Sequence, residues 1–365
     1  MGFNMANSKI MNNAKVKKDD EYFTLYDDIA NEIPLYKEQL KGKRIICPCD
    51  WDESFEETVV YSNGDEIQSD GLFSEVEHIK NVNIQETSKR IEKDINLIKC
   101  NFIKFLVSHA EDYEIKSISV SGYDPSTDKG IKFQDINYKN YDLVITNPPF
   151  SQITEFFDVM IKNNMEFLVI GPQTALGYKD SFKYLRENKM WLGYAKQLIG
   201  FSRPSGEILL SKNPEGSVPR ACKWFTNLDV KYRHDELILT EKYTPEKFPS
   251  YYNFDGIDVT ETKDIPYDYE GYMGVPITFM QKYNPDQFEI IGLGAEIEKK
   301  YLHTTDGDYI HYIDKSNNEI VYTFPYTVSE RKIGNGLRIS DNGKPGKSPF
   351  GRVIIKNKKV RKDED

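Results

Sequence analysis

The feature that most constrains this chain is an apolar run that ends in two consecutive prolines. Residues 141–146 (Tyr-Asp-Leu-Val-Ile-Thr) are typical of a buried strand, and Asn147, Pro148, Pro149 and Phe150 follow directly. Each proline fixes its own φ near roughly −65° and keeps the residue before it out of the helical region. The chain must therefore leave the strand through a stiff, extended turn.

A helix is predicted directly after this turn. Apolar residues recur at positions 153, 156, 157, 160 and 161 with the spacing of an amphipathic helix, and Ser151 is its expected N-cap. The other elements predicted in this half of the chain are strands at 43–47, 115–120, 131–133 and 167–171 and an amphipathic helix over 91–105.

Strands and helices therefore alternate along the first half of the chain. Such alternation indicates an α/β fold, in which a parallel sheet carries helices on both faces. Beyond about residue 200 the pattern changes to short strands, many tyrosines and turn pairs such as Asp255-Gly256, which indicates a β-rich second part. The expected boundaries are a flexible arm at 1–18, an α/β domain at 19–200, a β-rich region at 201–350 and a charged tail at 351–365.

Charge is distributed unevenly along the chain. The net charge of the 365 residues is −10, yet residues 331–362 hold eleven basic side chains and one acidic one. A basic segment on an acidic protein is typical of a nucleic-acid contact. It is equally typical of a solvated tail, and the sequence leaves both interpretations open.

Composition excludes several classes of protein. No stretch approaches 18 uninterrupted apolar residues, so no membrane span is expected. Four cysteines are too few for a disulfide scaffold in a chain this long, and neither they nor the five histidines have the spacing of metal ligands. We expect a cytoplasmic protein with reduced thiols and without a metal.

The turn after residue 146 offers an unusual chemical combination. The side-chain oxygen of Asn147 and the carbonyl of Pro148 are acceptors, and the ring of Phe150 follows them. Two acceptors can take both N–H hydrogens of a conjugated amine, localise its lone pair on nitrogen and stabilise the positive charge that develops during attack. Phe150 would stack on the base that carries the amine. The alternative is a merely structural turn, in which Asn147 satisfies local backbone groups.

Several stretches resemble known families. Residues 147–150 resemble the catalytic motif of amino-group methyltransferases that use S-adenosylmethionine. Longer stretches between about residues 20 and 295 resemble the EcoRI-type adenine-specific DNA methyltransferases; they are 20–24, 41–50, 224–229, 272–279 and 283–288.

The resemblance implies a fold and an activity. The fold would be a Rossmann-like class I methyltransferase sheet at 19–200, with a β-rich DNA-recognition region at 201–350, some of whose strands complete that sheet. The activity would be methylation of the exocyclic amine of adenine in duplex DNA, after the base has been flipped out. The partner would be double-stranded DNA, and the protein would be a monomer or a weak dimer.

The resemblance also implies residues that bind the donor. Tyr22, Phe23 and Thr24 would contact its methionine part, and Cys47, Pro48 and Asp50 would form the loop around it. Asp124 would bind its ribose and Asp135 its adenine amine. The catalytic residues would be Asn147, Pro148, Pro149 and Phe150, and the DNA contacts in the basic segment Lys356, Lys358 and Lys359.

Other activities share the same turn. Methyltransferases that act on RNA bases or on protein glutamine carry it, and a DNA-binding relative could keep it after losing catalysis. Transfer of labelled methyl to duplex DNA, and not to RNA or protein, distinguishes a DNA methyltransferase from the first two classes. Heat of S-adenosylmethionine binding distinguishes it from a DNA-binding relative without catalysis.

Overall fold

A computed structural model describes residues 23–51, 79–124, 129–202, 206–211, 221–306, 309–325 and 336–362. The predicted arm at 1–18, Tyr22 and the end of the predicted tail at 363–365 lie outside the described residues. The elements divide into two units, which belong to Met1–Ala175 with Met190–Asp229 and to Leu176–Lys189 with Val230–Asp365. We call these the first and the second unit.

The described α-helices are α1 (Tyr26–Glu32), α2 (Lys37–Leu40), α3 (Ile84–Lys93), α4 (Asn101–Ser108), α5 (Ile153–Lys162) and α6 (Lys179–Arg186). Short 3-10 helices are Ile33–Tyr36, Ile95–Leu97, Phe133–Asp135, Tyr138–Asn140, Phe150–Gln152, Gln173–Gly177, Lys231–Arg233, Thr262–Asp264 and Ile277–Lys282.

The strands of the first unit are β1 (Phe23–Thr24), β2 (Arg44–Cys47), β3 (Ile79–Asn81), β4 (Ser117–Ser121), β5 (Tyr123–Asp124), β6 (Lys129–Gly130), β7 (Leu143–Thr146), β8 (Glu166–Pro172), β9 (Trp191–Leu192), β10 (Gly200–Ser202), β11 (Ile208–Leu210) and β12 (Cys222–Thr226). Those of the second unit are β13 (Ile257–Asp258), β14 (Met273–Pro276), β15 (Phe288–Leu293), β16 (Tyr301–Asp306), β17 (Tyr309–Asp314), β18 (Ile320–Pro325), β19 (Ser340–Asp341), β20 (Lys344–Pro345) and β21 (Arg352–Asn357).

A seven-stranded sheet organises the first unit, in the order β3-β4-β2-β7-β8-β12-β9. The four central strands β4, β2, β7 and β8 are parallel to one another, as the alternation of strands and helices predicts. The outer strands β3, β12 and β9 pair antiparallel, so the sheet is mixed.

Helices cover both faces of this sheet. In β12, Trp224 packs against Phe102 of α4 with ring centroids 6.0 Å apart, and Phe225 packs against Phe157 of α5 at 5.1 Å. Because successive side chains of a strand point to opposite faces, α4 and α5 lie on opposite faces of the sheet. All four of these aromatic side chains are buried.

The amphipathic helix predicted over 91–105 is wrong, because the segment is broken in two. α3 ends at Lys93, and the side chain of Asp94 accepts the backbone N–H of Asn96 at 2.9 Å, which caps a 3-10 turn instead of continuing the helix. Ile95 is consequently half exposed, whereas Ile98 is buried. Apolar spacing alone did not reveal the turn-forming Asp94.

Two smaller predictions are also wrong. Residues 131–133 do not form a strand, since β6 ends at Gly130 and a 3-10 helix begins at Phe133. Ser151 does not cap α5, because residues 150–152 form a 3-10 turn and Gln152 occupies the cap position. In both cases the chain tightens into a 3-10 turn beside the end of a strand.

The second unit is built mainly from strands, and no α-helix occurs in its described residues from 230 onward. Its four-stranded sheet has the order β13-β14-β21-β15, and β16, β17 and β18 form an antiparallel meander. β21 therefore lies inside a sheet, paired antiparallel with β14 and β15. This corrects the interpretation of residues from 351 as a charged tail, because Val353, Ile354 and Ile355 are wholly buried.

The buried strand gives a direct test by substitution. Ile354→Ala should lower the free energy of unfolding of the second unit by roughly 2–5 kcal/mol, because it leaves a cavity in the core. Lys356→Ala, on the same strand but exposed, should change it by no more than about 0.5 kcal/mol. Urea denaturation followed by circular dichroism measures both, and equal, negligible effects would return this segment to a solvated tail.

Candidate active site at the ends of the parallel strands

The loops that follow β2 and β7 are joined by one hydroxyl group. The side-chain oxygen of Thr146, the last residue of β7, accepts the backbone N–H of Cys49 at 3.2 Å and donates to the carboxylate of Asp50. The backbone N–H of Asp50 in turn donates to the carbonyl of Ser121 at 3.1 Å, at the end of β4. Three parallel strands thus have their carboxyl ends tied together, where ligands bind in open α/β sheets.

The loop after β2 is tightly packed. Cys47 is wholly buried and Pro48 is buried, while Asp50 is half-buried. Burial raises the pKa of the Cys47 and Cys49 thiols, and the neighbouring Asp50 charge raises them further. Both thiols therefore stay protonated near neutral pH, which suits a packing role and not a nucleophilic one.

The predicted turn leaves β7 as the two prolines require. Residues 147–149 belong to no helix or strand, and a 3-10 turn begins at Phe150. Asn147 is half-buried, with its side-chain oxygen shielded from solvent, and Pro149 is exposed. The ring of the half-buried Phe150 meets that of Phe201 edge-on, with centroids 6.1 Å apart.

The short strand β1 lies close to this turn through β10. Thr24 pairs with Phe201, whose ring contacts Phe150, and Phe23 pairs with Ser202. The side-chain amide of Asn101 donates to the carbonyl of Thr24 at 2.8 Å. Thr24 is only 3% exposed, and its hydroxyl oxygen has no hydrogen-bond partner among the described residues. The structure therefore brings Phe23 and Thr24 into the neighbourhood of Phe150.

The two remaining acids lie on separate loops. Asp124 ends β5, which forms a two-stranded hairpin with β6 directly after β4, and the structure describes its backbone only. Asp135 is exposed at the end of a 3-10 helix. Its neighbour Gln134 donates to the side-chain oxygen of Gln152 at 3.3 Å, which links this loop to the turn that begins at Phe150.

Three residues of the site were missed in the sequence. Thr146 carried a signal, since a hydroxyl that ends an apolar strand beside a functional turn is a candidate ligand or strut. Gln134 and Phe201 carried none, because their positions depend on loop folding and on long-range strand pairing. The Gln134 side-chain oxygen is also buried, without a partner in the part of the chain that the structure describes.

The three predicted DNA-binding lysines lie in the second unit. Lys356 is exposed on β21 opposite Glu289 of β15, and Lys359 forms an ion pair with Glu236. The ammonium of Lys358 donates to the carbonyl of Pro285 at 2.8 Å. Acidic neighbours thus offset part of the positive charge that the sequence count suggests.

Neither a metal centre nor a membrane helix is found in the described ranges. No group of three or more His, Cys, Asp or Glu side chains there is arranged to hold a metal ion. No helix among those residues has the length and apolarity needed to cross a membrane.

The Thr146 bridge can be tested by removing its hydroxyl. Thr146→Val should lower the free energy of unfolding of the first unit by about 1–3 kcal/mol, because it leaves the Cys49 N–H unsatisfied. Thr146→Ser keeps the hydroxyl and should recover most of that loss. Urea denaturation followed by tryptophan fluorescence reports on this unit, since Trp51, Trp191 and Trp224 all belong to it. A Thr146→Val protein that is no less stable than Thr146→Ser would mean that the hydroxyl bridge does not stabilise the unit.

Comparison with known proteins gives the site its context. The family model for the adenine-specific methyltransferase EcoRI matches residues 10–358. The Type II methyltransferase M.EcoRI of Escherichia coli is 32% identical over 370 residues, which cover 98% of this chain and 99% of that protein. The Type II methyltransferases M.MgeORF184P of Mycoplasma genitalium and M.MpnI of Mycoplasma pneumoniae are 31% and 29% identical, each over 77% of this chain and 84% of their own length.

No solved structure matches the chain. The family match nevertheless spans nearly all of it and includes the turn after β7, the loop after β2 and the strand β21. The resemblance found in the sequence is thereby confirmed, and the chain belongs to the family of EcoRI-type adenine-specific methyltransferases.

Proposed function

We propose that the protein methylates the exocyclic amine of adenine at a specific sequence of duplex DNA, with S-adenosylmethionine as the donor. The observation that carries this proposal is the meeting of the Asn-Pro-Pro-Phe turn with the loop after β2, through the hydroxyl of Thr146. A methyl transfer needs donor and acceptor side by side, and these loops are the proposed donor and acceptor sites.

The strand order supports a Rossmann-like class I methyltransferase arrangement. From β2 the chain continues to β4 on one side of β2 and later to β7 on its other side. The direction of the strand order therefore reverses between β2 and β7, and ligands bind at such a switch point in doubly wound sheets. The loops after both strands line that point.

The catalytic step is proposed to rest on Asn147 and Pro148. Their side-chain and main-chain oxygens would accept the two N–H hydrogens of the target amine, while Pro149 keeps the turn rigid and Phe150 stacks on the base. The shielding of the Asn147 oxygen from solvent favours this role, since a hydrogen bond is stronger where water is excluded. No general base of raised pKa is needed before attack.

The residues around Thr24 suit a polar, sulfur-bearing donor. The buried Thr24 hydroxyl oxygen has no partner among the described residues, which fits a site that expects a polar ligand group. When bound, S-adenosylmethionine supplies an electrophilic methyl group on a positively charged sulfur. Tyr22, Phe23 and Thr24 would bind its methionine part, and Cys47, Pro48 and Asp50 would surround it.

Asp124 and Asp135 are proposed for the ribose and the adenine of the donor. Both residues lie between β4 and β7 in the chain, in the segment that connects these two strands of the sheet. A carboxylate is the usual acceptor for ribose hydroxyls in such sheets. Residues 19–200 would thus form most of the catalytic domain, completed by strand β12 from the following region.

Duplex DNA hides the target amine in the base stack, so the base has to be extruded at a cost of a few kcal/mol. Contacts to the rest of the duplex must supply that free energy. We propose that the β-rich residues 201–350 and the basic segment that extends to residue 362 bind the DNA, with Lys356, Lys358 and Lys359 on phosphates.

The function is tested by offering labelled methyl donor to duplex DNA, to RNA and to protein. Label in duplex DNA alone, with methylated adenines found by sequencing DNA from cells that express the protein, is the expected result. Label that enters only RNA or protein would overturn the proposal.

Asn147→Ala should lower the rate of methyl transfer by at least roughly 10²–10³-fold, the loss seen when one preorganised hydrogen-bonding group is removed from an active site. Affinity for the donor, measured by calorimetry, should stay within about twofold, because the base site is separate. Asn140→Ala, at an exposed position seven residues earlier, is the matched control and should keep full activity. A fully active Asn147→Ala enzyme contradicts the assignment.

Replacing Lys356, Lys358 and Lys359 together by glutamine should weaken DNA binding and flatten its salt dependence. The slope of log K against log salt is negative, and each lost phosphate contact reduces its magnitude by about 0.9. The pairing of Lys359 with Glu236 and of Lys358 with a carbonyl predicts a change smaller than three contacts would give. An unchanged slope would remove these lysines from the DNA interface.

A further inference from the structure

Phe350 is the most exposed large hydrophobic side chain among the described residues, at 85% exposure. Phenylalanine is usually buried, and an aromatic ring in water gains nothing for the fold. Phe350 lies directly before β21, in the basic segment of the second unit. The protein therefore exposes an aromatic ring where a polyanion is expected to bind.

The backbone that carries this ring is held on both sides. The Ser348 hydroxyl donates to the carbonyl of Leu337 at 2.9 Å, and the Arg352 guanidinium donates to the carbonyl of Phe350 at 3.0 Å. Arg352 is itself fixed by two hydrogen bonds of 2.8 and 3.2 Å to the buried Asp258. Pro349 further restricts the chain before the ring. These contacts fix the backbone at Phe350, so the exposed ring is presented from a supported position.

The charges around the ring favour nucleic acid. Residues 336–362 contain nine basic side chains and one acidic one. Lys344 and Lys347 are exposed and form no ion pair within the described ranges, in contrast to Lys359 and Lys362. Lys347 is three residues from Phe350, so their Cα atoms are at most ~11 Å apart. In a nucleic acid a phosphate lies at a similar distance from a base, so a lysine at this distance from the ring can contact a phosphate while the ring contacts the base.

There is also room beside the ring for a planar group. A cleft of about 510 Å³ adjoins Phe350 and is lined by Gly294, Leu337 and Pro349 among others. Its one charged lining residue is Arg352, whose guanidinium is already bonded to Asp258. The cleft therefore offers an apolar surface and no competing charge.

We propose that Phe350 stacks on a nucleobase of the bound duplex, while Lys344 and Lys347 contact neighbouring phosphates. This inference rests on the proposed DNA methylation and adds a stacking residue to it. An aromatic wedge unstacks the bases it enters, which lowers the further cost of extruding one of them. A protein partner is disfavoured, because exposed lysines flank the ring where an apolar patch of several hundred Å² would be expected.

The first experiment compares Phe350→Ala with Ile238→Ala. Ile238 is the matched control for the stacking contact, since it is 83% exposed and lies in the same unit but belongs neither to the basic segment nor to the cleft beside Phe350. On a duplex that contains the sequence methylated by the wild-type enzyme, Phe350→Ala should bind about 10–100-fold more weakly, the range for loss of one base–aromatic stack. Its salt slope and its donor affinity should be unchanged, and Ile238→Ala should bind within twofold of the wild type.

The second experiment places a reporter at the same two positions. Phe350→Trp and Ile238→Trp each add one exposed tryptophan to the second unit, whose native sequence has none. DNA should quench the new fluorescence in Phe350→Trp, because stacked bases contact the indole, and leave that of Ile238→Trp nearly unchanged.

Two outcomes would overturn the proposal. One is a Phe350→Ala enzyme that binds the duplex as tightly as the wild type, with equal quenching of both reporters. The other is a shift from dimer to monomer on Phe350→Ala in sedimentation without DNA, which would assign the ring to a second copy of the chain. If the wild type methylates DNA in either case, the proposed function stands and only the stacking role is lost. A wild type that does not methylate DNA removes both.

Discussion

The hydroxyl of Thr146 is the interaction on which the candidate site depends. It is wholly buried, accepts one hydrogen bond and donates another, and both partners belong to the loop after β2. The next residue in the chain is Asn147. The same side chain that anchors the loop after β2, which is the proposed donor site, therefore precedes the proposed catalytic amide, so a shift of either loop is passed to the other through a single group. Since a 1 Å misplacement can cost about 10²-fold in rate, such a strut has a direct effect on chemistry.

A second set of contacts holds the segment that leads to Phe201, the ring that meets Phe150. Asp28 of α1 accepts the backbone N–H groups of Ile199 and Gly200 at 2.7 and 3.2 Å, and Glu32 accepts those of Tyr194 and Ala195, both at 2.7 Å. These bonds fix the segment that leads into β10, which carries Phe201. Burial raises the pKa of both carboxyl groups despite the hydrogen bonds.

That shift has a consequence for stability. A carboxyl group whose pKa is higher in the folded state binds protons more readily there, so its contribution to stability is fully present below the unfolded pKa and is lost as the pH rises through the folded pKa. The negative charges of Asp28 and Glu32 therefore do not stabilise the fold. Their carboxyl oxygens serve as acceptors that fix the backbone beside Phe201.

Local rules predicted the elements that local rules control. The strand ending at Thr146, the stiff turn and the helix after it follow from apolar spacing and from the geometry of proline. The prediction of one helix over 91–105 was wrong because the side chain of Asp94 accepts the backbone N–H of Asn96 and ends the helix there. Phe201 and Gln134 were not predictable, because strand pairing and loop packing over tens of residues bring them to the site. The roles of the site residues remain predictions, which substitutions will decide.

The basic segment contains fewer lysines available to DNA than its charge count indicates. The charge count left a solvated tail and a nucleic-acid contact equally open. Val353, Ile354 and Ile355 place β21 inside a sheet, and the lysines after it contact Glu236, Glu270 or a carbonyl. DNA binding depends on the phosphates that a surface contacts and not on its net charge, because affinity rises with the counterions released at each contact. A lysine that is already paired with an acidic side chain releases fewer counterions from DNA. An acidic protein can therefore hold DNA with a few unengaged lysines if an exposed apolar group, the role proposed for Phe350, supplies contact that salt does not weaken.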